Sequence, residues 1–309
     1  MPCIRAPRLH NEKYGVSAPL AADPRTTLRR HPPVPESPKP ADLKSEQDFF
    51  DTLAAADAPK RFSQEARNRY LNPDGRRMQT SDHCHYLLRD CAGLRICDFG
   101  CGQGHHSVLA ALRGAHVFGF DVSIGSIRYA RRLAQLNDVS DRAHFALMDA
   151  HHAAFPDNSF DAVHCNAIFH HVRIPDALAE VKRIAKPGAL IVMYEPVALC
   201  PVLRALRWIA PVKRNATPGE RQLDARDLKT IFDEFPGCEM TTFRLFGRLD
   251  RLLEVGPVER LPIAAKIRQA IRRVDRLLMD VLPFTRSLAG LVVIAARNPG
   301  KDTQPQPAP

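Results

Sequence analysis

The feature that most constrains this chain is a repeated alternation of short apolar runs and amphipathic stretches between Leu94 and Glu195. Each apolar run is long enough for a buried strand and ends at a polar residue, and each amphipathic stretch is long enough for a helix. The alternation predicts an α/β fold with a doubly wound, mostly parallel sheet of seven strands. In such a sheet the ligand crevice lies outside the carboxyl ends of the strands, which is where the polar residues fall.

The predicted elements follow from these runs. We expect strands at 94–99, 115–120, 143–148, 160–165 and 189–194, with helices at 105–113, 124–137 and 175–185 and a Lys-Pro-Gly turn at 186–188. After Glu195 the repeat loosens, and we expect a helix at 224–235, a strand at 239–246, a helix between 257 and 282 and a last strand at 288–296.

Composition along the chain predicts one large domain between two tails. Residues 1–44 are rich in proline and arginine and show no hydrophobic periodicity, so we expect them to be disordered, as we do 301–309. The domain should span 45–300, with its core at 90–197.

The formal net charge of +10 lies in the N-terminal tail and the C-terminal third, while residues 41–200 are nearly neutral. We interpret the diffuse basic surface as a solvated one rather than as a track for nucleic acid. The basic amphipathic segment 260–282 supports a second interpretation, peripheral contact with a membrane. No apolar run reaches the ~18–20 residues that a membrane span needs.

The eight cysteines form no Cys-x-x-Cys pair and no signal peptide precedes them, which favours a reduced, cytoplasmic setting. His83-Cys84-His85 with Cys97 and Cys101 lacks the short paired spacing of a zinc site. We therefore expect no metal.

A glycine-rich loop follows the first predicted strand. Gly100, Gly102 and Gly104 allow a tight turn and a close approach to a ligand, with a helix N-terminus behind them. A dinucleotide fingerprint needs a small residue at position 105, which is His105 here. Asp98, two residues before the first glycine, suits a positively charged amino group rather than a pyrophosphate.

The order of motifs along the chain resembles that of class I S-adenosylmethionine-dependent methyltransferases, in the small-molecule branch that includes the ubiquinone and menaquinone methyltransferases. The resemblance covers residues 80–200 well and continues more weakly to about 297. The motifs are Asp98-Phe-Gly-Cys-Gly-Gln-Gly, Phe120-Asp-Val-Ser, Met148-Asp-Ala, Asn158-Ser-Phe-Asp, Ile168-Phe-His-His, Arg183-Ile-Ala-Lys-Pro-Gly and Glu195-Pro.

The resemblance implies S-adenosyl-L-methionine as the cofactor, and lid segments and insertions at 45–89, 198–222 and 248–286. It implies that Asp98 and the loop Gly100–Gly104 hold the methionine portion, with Asp98 facing the ammonium group directly or through water. It also implies that Asp121 accepts hydrogen bonds from the ribose hydroxyls. The other implied cofactor contacts are Val122, Asp149, Ala150 and Asn166.

His170 and His171 follow the fourth predicted strand, at the mouth where a methyl acceptor must lie. An oxygen or nitrogen acceptor loses a proton as it takes the methyl group, and a neutral imidazole is a suitable general base. His170 is the candidate base, with packing or capping as the alternative. His171 and Glu195 are candidate substrate contacts, Glu195 for a cationic or hydroxylated acceptor.

The implied activity is methyl transfer to a small-molecule acceptor by direct displacement, with O- or N-methylation favoured. The first alternative is a membrane-associated lipid or quinone methyltransferase acting on carbon or oxygen. RNA or protein methylation is less favoured. In particular, residues 166–169 read Asn-Ala-Ile-Phe rather than the Asn/Asp-Pro-Pro-aromatic run of amino-methylating enzymes of nucleic acids. The intact glycines and acids also argue against an inactive cofactor-binding scaffold.

Overall fold

The computed structural model of the chain describes residues 43–71, 80–199, 221–243 and 262–300. The predicted tail 301–309 and residues 1–42 of the N-terminal tail lie outside these ranges. So do 72–79, 200–220 and 248–261 of the predicted insertions, and 244–246 of the predicted strand 239–246. The first described helix begins at Leu43, two residues before the boundary that we placed between tail and domain.

Within the described residues, helices precede and alternate with strands. The helices are α1 (Leu43–Ala55), α2 (Gln64–Leu71), α3 (Thr80–Leu87), α4 (His105–Leu112), α5 (Ile124–Leu136), α6 (Ile174–Ile184), α7 (Ala225–Glu234) and α8 (Pro262–Val281). The strands are β1 (Arg95–Phe99), β2 (His116–Asp121), β3 (Ala143–Leu147), β4 (Phe160–Asn166), β5 (Ala185–Pro196), β6 (Glu239–Phe243) and β7 (Leu291–Arg297).

The strands form one sheet in the order β3-β2-β1-β4-β5-β7-β6. Strands β1 to β5 pair in parallel, and β7 runs antiparallel between β5 and β6. The predicted doubly wound α/β fold with a seven-stranded, mostly parallel sheet is thereby confirmed. Because β1 lies between β2 and β4, the turns after these three strands are neighbours at one edge of the sheet.

Two strands differ from their predicted bounds. The predicted Lys-Pro-Gly turn lies inside β5, where Lys186–Ala189 bulge opposite Asp161 between the pairs Phe160–Ala185 and Ala162–Leu190. The last strand begins at Leu291, because a 3₁₀ helix occupies residues 283–288. A strand and a 3₁₀ turn with similar apolar content cannot be distinguished by composition alone.

The sheet has a buried face on each side, and alternation along β1 assigns its side chains to them. Cys97 and Phe99 pack in the core that includes α6 and α7, whereas Ile96 packs with α4 and α5 on the other side. Helix α3 contacts β5 and β7, and its Cys84 belongs to this second core. Within the predicted lid 45–89, α3 is thus a layer of the core, and the lid role of the other residues stays a prediction.

Helix α8 lies within the predicted amphipathic segment. Asp275 and Met279 are buried, while its outer side exposes apolar residues. These are Ile267, Val274, Leu277 and Val281, with exposed fractions from 41% to 64%. None of the helices in the described residues combines the length and apolar composition needed to cross a membrane.

Two glycines with the same backbone conformation allow a test of packing in the glycine loop. Gly104 has φ of 74°, and a Cβ there would lie 2.6 Å from the Cβ of Ala130 and 2.9 Å from Phe145. Gly93 has φ of 75°, but a Cβ there would meet nothing within 4 Å. We expect Gly104→Ala to lower the free energy of unfolding by about 2–4 kcal/mol, from left-handed strain plus overpacking.

The matched variant Gly93→Ala should lose only about 1–2 kcal/mol, because it carries the strain without the clash. Denaturant unfolding of both variants measures the difference. Equal losses would show that the loop is not pressed against α5 and β3.

Candidate active site

The carboxyl edge of the sheet brings together side chains that are far apart in the sequence. Asp121 ends β2, Asn166 ends β4, and Glu195 is the penultimate residue of β5. The glycine loop follows β1, which lies between β2 and β4. These predicted site residues therefore lie along one edge of the sheet, as expected for polar residues that follow parallel strands.

The glycine loop packs closely against the protein at Gly100 and faces open space at Gly102. A Cβ at Gly100 would lie 2.7 Å from Ile168 Cδ1, so the loop packs closely on the segment after β4. Cys101 donates its backbone N–H to the carbonyl of Phe120 at 2.8 Å. Gly102, with φ of 49°, has nothing within 4 Å of its missing Cβ. The loop thus offers bare backbone next to open space, which fits the methionine portion of the predicted cofactor.

Asp121 braces the glycine loop. Its carboxylate accepts the backbone N–H of Gly102 at 2.9 Å with one oxygen and that of Ser123 at 3.0 Å with the other. Burial raises the pKa of Asp121, and these N–H donors oppose the rise. The side chain remains partly accessible, and a carboxylate has about four acceptor positions. Acceptor capacity therefore remains for a ligand hydroxyl.

Asp98 does not lie as we predicted. Its residue is 2% exposed, because it points to the α4 side of the sheet. One oxygen accepts the Ser107 hydroxyl at 2.5 Å, and the other faces His164 Nδ1 at 3.1 Å. Burial raises the pKa of Asp98, but the bonds and charges of His164 and its neighbours outweigh burial and lower it. Direct contact with an ammonium group is therefore corrected, because Asp98 joins the strand and helix that flank the loop, and contact through water stays a prediction.

Histidines extend from Asp98 into the interior. His164 packs on His106 with ring centroids 5.0 Å apart, and His106 Nδ1 lies 3.0 Å from His85 Nε2. Burial lowers the pKa of His106 to about 3 and holds that of His85 well below its usual range. Among the described residues, no group of three or more His, Cys, Asp or Glu side chains is arranged to hold a metal ion.

The predicted adenine side follows β3. Asp149 accepts the backbone N–H of His151 at 2.9 Å and faces its ring Nδ1 at 2.7 Å. Burial raises the pKa of Asp149, but these two bonds outweigh it and lower the pKa. Ala150 is buried, and Val122 is half-buried in the turn after β2. These three cofactor contacts stay predictions.

The segment after β4 is held in an unusual backbone conformation. Asn166 is partly accessible at the strand end, and Ala167 adopts φ of 57°, in the left-handed region that favours glycine. The Ala167 N–H bonds to the carbonyl of Tyr194 on β5 at 2.7 Å. Local strain of this kind persists only where surrounding contacts impose it.

Glu195 imposes that conformation. It is fully buried, and one carboxylate oxygen accepts the backbone N–H groups of Ile168 at 2.8 Å and Phe169 at 2.7 Å. The other oxygen lies 2.7 Å from His170 Nδ1. The prediction that Glu195 contacts the substrate is therefore wrong, because all these partners are internal. Its role is to hold the segment and orient His170.

His170 and His171 lie side by side with ring centroids 4.1 Å apart. The His170 side chain is only 5% exposed. His171 Nδ1 is 3.2 Å from a carboxylate oxygen of Glu46 on α1, and its ring meets Phe50 at 5.5 Å. The two imidazoles thus each have a carboxylate partner from a different part of the chain.

Sequence reasoning missed several residues of this region. His164 could have been noticed in the sequence, because it is a polar residue within a largely apolar run. In the structure it lies in register with Asp98 on the neighbouring strand. Glu46 and Asp51 on α1 gave none, because they lie more than 70 residues from their partners and on a segment without motifs.

The comparisons with known proteins agree with this geometry. Residues 90–234 match a family model described as a methyltransferase domain. A sterol 24-C-methyltransferase of Gibberella zeae is 33% identical over 118 residues, which are 37% of this chain and 31% of the relative. A demethylmenaquinone methyltransferase of Clavibacter sepedonicus is 39% identical over 105 residues, 34% of this chain and 42% of the relative. The chain thus spans less than half the length of these curated relatives.

Solved structures share the fold. A geranyl diphosphate C-methyltransferase from Streptomyces coelicolor, in complex with S-adenosyl-L-homocysteine, has a TM-score of 0.54 and 15% identity, covering 83% of this chain and 98% of that one. The [4+2]-cyclase SpnF also has a TM-score of 0.54, with 21% identity, covering 84% and 98%.

The fold is one that solved methyltransferases share. Residues 90–234 match a methyltransferase domain, and the comparisons support S-adenosyl-L-methionine as the cofactor of that domain. The resemblance seen in the sequence is confirmed.

The buried histidines predict acid sensitivity. Burial lowers the pKa of His83 to about 4 and that of His106 to about 3, from an ordinary value of 6.5. Below pH 6.5 the unfolded chain binds protons that the folded chain does not. The free energy of unfolding should therefore fall as the pH falls towards these lower values, by about 1.4 kcal/mol per pH unit for each such histidine.

The variant His83→Phe tests this cause. His83 lies among aromatic rings, 5.6 Å from Phe243 between centroids, and its buried Nδ1 has no hydrogen-bond partner among the described residues. Phenylalanine keeps the packing and removes the titrating group. Between pH 6 and 4.5 the slope of the free energy of unfolding against pH should therefore decrease by the amount that corresponds to about one bound proton. An unchanged slope in urea unfolding would contradict the assignment.

Proposed function

We propose that this protein transfers a methyl group from S-adenosyl-L-methionine to an apolar small-molecule acceptor, with His170 as the general base. The observation that carries the proposal is the Glu195–His170 pair beside the glycine loop, with 2.7 Å between the carboxylate oxygen and Nδ1. The cofactor, when bound, supplies an electrophilic methyl group on a sulfonium. The chain supplies alignment, exclusion of water and a proton acceptor.

The cofactor-binding residues of this proposal are those that the crevice exposes. The backbone of Gly100–Gly104 would hold the methionine portion, and Asp121 would accept the ribose hydroxyls. Val122, Asp149, Ala150 and Asn166 would line the rest. The open space at Gly102 and the remaining acceptor capacity of Asp121 support this arrangement.

The carboxylate of Glu195 determines which nitrogen of His170 can act. A neutral imidazole that donates a hydrogen bond from its Nδ1–H to a carboxylate carries its free lone pair on Nε2. The buried charge of Glu195 also stabilises the imidazolium that forms when Nε2 takes a proton. Glu195 is therefore a positioning residue for the base, and His171 is the candidate acceptor contact beside it.

A more specific question is which atom of the acceptor receives the methyl group. We predicted oxygen or nitrogen, and that preference is not confirmed. The named relatives include sterol 24-C- and demethylmenaquinone methyltransferases, which favours carbon in an apolar, lipid- or quinone-like molecule. A base is useful in either case, because the acceptor must release a proton at some stage of the reaction.

Peripheral contact of 260–282 with a membrane stays a prediction. The apolar side chains that α8 exposes, Leu277 at 63% and Val281 at 64%, favour it. Such contact would suit an acceptor that partitions into lipid.

The cofactor proposal predicts that the protein binds S-adenosylhomocysteine and that Asp121→Ala weakens binding at least about tenfold, because charge-assisted hydrogen bonds are lost. Titration calorimetry measures both. The control is Asp161→Ala, since Asp161 lies near the amino end of β4 and pairs with Lys186 at 2.6 Å. No heat with the wild type, or a preference for NAD, would contradict the cofactor assignment.

The base proposal predicts that His170→Ala lowers turnover by roughly 10²–10⁴ while the affinity for S-adenosylhomocysteine is retained. Methyl transfer from labelled cofactor to a panel of quinone and sterol acceptors provides the assay. His116→Ala is the control, because His116 is exposed at the amino end of β2.

The variant Glu195→Gln distinguishes the effect of Glu195 on the orientation of His170 from its effect on the packing of the segment after β4. The amide oxygen can still accept the N–H groups of Ile168 and Phe169, but its NH₂ then donates to His170 Nδ1 and moves the imidazole proton to Nε2. Turnover should fall as in His170→Ala in a folded protein, through the wrong tautomer. Full activity of Glu195→Gln would show that His170 is not the base.

A further inference from the structure

His151 connects two parts of the carboxyl edge that come from different loops. It lies in the loop after β3, directly after the predicted adenine contacts Asp149 and Ala150, and its side chain is 25% exposed. Its ring Nδ1 lies 2.7 Å from Asp149 Oδ1, and its ring Nε2 accepts the backbone N–H of Arg173 at 3.1 Å. Arg173 is the residue before α6. Both nitrogens of this imidazole are therefore used, each by a different part of the chain.

These two bonds define one state of the ring. Because Nε2 of His151 accepts an N–H, it carries the lone pair, and a neutral imidazole then has its proton on Nδ1. That proton is donated to the carboxylate of Asp149. An imidazolium would have no lone pair for Arg173, and the opposite tautomer would direct a lone pair at a carboxylate. The neutral ring with a protonated Nδ1 is thus the one form that satisfies both partners.

The bond to Arg173 completes the start of α6. Arg173 is the N-cap of this helix, and its side chain makes no capping hydrogen bond. In a capping box, the side chain of the third helical residue accepts the N–H of the N-cap residue. Here the third residue is Asp176, whose carboxylate pairs with the guanidinium of Arg173 instead. His151 therefore supplies, from another loop, the acceptor that the first turn of α6 does not provide.

The segment 168–173 carries both histidines of the acceptor side and is held at its two ends. Glu195 accepts the first two backbone N–H groups of this segment, at 2.8 Å and 2.7 Å. His151 accepts the last one, that of Arg173. The candidate base His170 lies between these two supports. Its position therefore depends on the loop after β3 as well as on β5.

The rest of α6 is attached to the loop after β3 without the ring of His151. Glu180 accepts the Ala153 N–H at 3.0 Å. Arg183 donates to the carbonyls of Ala153 and Phe155, each at 2.7 Å. Removal of the His151 ring should therefore leave the helix in place and affect only its N-cap and the segment before it.

We propose that His151 is a positioning residue that joins the adenine side of the crevice to the segment that carries His170. Its Nδ1–H orients Asp149 for the adenine amino group, and its Nε2 holds Arg173 at the end of the segment 168–173. This rests on the function proposed above, which assigns Asp149 to the cofactor and His170 to the acceptor. His151 acts through these two neighbours, so one ring places the cofactor and the base relative to each other.

Two amide variants separate the two halves of this link. Asparagine places its amide near the position of Nδ1, so His151→Asn can still donate to Asp149 but does not reach Arg173. Glutamine extends to the position of Nε2, so His151→Gln can still accept the Arg173 N–H but loses the ring's bond to Asp149. The backbone N–H of residue 151 bonds to Asp149 in either case. The control is His152→Ala, since His152 is exposed.

Titration calorimetry with S-adenosylhomocysteine measures the adenine side, and kcat at saturating S-adenosyl-L-methionine with the quinone and sterol panel measures the acceptor side. We expect His151→Gln to weaken binding about three- to tenfold with kcat retained, the usual effect of one lost hydrogen bond. We expect His151→Asn to lower kcat about three- to tenfold with the affinity retained, because the end of the segment 168–173 is released. His152→Ala should match the wild type in both measurements.

The ring tautomer provides a readout that needs neither cofactor nor acceptor. In the ligand-free, full-length protein, the ¹⁵N resonances of the His151 ring are identified by their absence from the spectrum of His151→Asn. They should show a protonated Nδ1 and an unprotonated Nε2. A protonated Nε2 would overturn the proposal.

The outcomes distinguish this proposal from the proposed function. A wild type that binds no S-adenosylhomocysteine overturns the function, whereas the tautomer of ligand-free His151 still tests the link. If no acceptor of the panel is methylated, the difference in affinity between His151→Gln and His151→Asn decides. Equal effects of these two variants, or an equal loss in His152→Ala, contradict the positioning role.

Discussion

The buried carboxylate of Glu195 is the interaction on which the acceptor side of the crevice depends. Removing a carboxylate from water costs several kcal/mol, and only good hydrogen-bond partners offset this. Glu195 has such partners in two backbone N–H groups and the His170 ring, all on one short segment. The same bonds hold Ala167 in its left-handed conformation and fix His170 relative to the glycine loop. One charge thus sets the shape of the segment and the orientation of its imidazole.

The cofactor side depends on a second carboxylate, that of Asp121, whose internal hydrogen bonds leave part of it accessible. Asp121 is partly accessible and accepts one N–H with each oxygen, so it supports the loop and keeps acceptor capacity for a ligand. Asp98, by contrast, is enclosed by His164 and Ser107. Asp121, Asp98 and Glu195 lie at or near strand ends along one edge, but only Asp121 is partly accessible. Chemical type alone therefore does not assign a role at this edge.

The fold was largely predictable from the sequence, because apolar runs and their polar ends report on strands buried on both faces. The roles of Asp98 and Glu195 were not, since a strand position fixes which face a side chain lies on but not what packs against it. For Asp98 the alternation that puts Ile96 and Asp98 on the α4 side is visible in the sequence, whereas its contact with His164 depends on the pairing of β1 with β4. The contacts of α1 form across 72 residues to Ser123 and 125 to His171, a separation at which no periodicity operates.

The fold itself does not determine a reaction. A geranyl diphosphate C-methyltransferase and a [4+2]-cyclase share it with this chain to the same TM-score of 0.54. What distinguishes this chain must lie in the groups that meet the acceptor, and these come from two sources. The segment after β4 provides His170, held from inside by Glu195, while α1 provides Glu46, which holds His171 from outside. A carboxylate of the sheet and a carboxylate of a helix far away in the sequence thus hold two adjacent imidazoles in place.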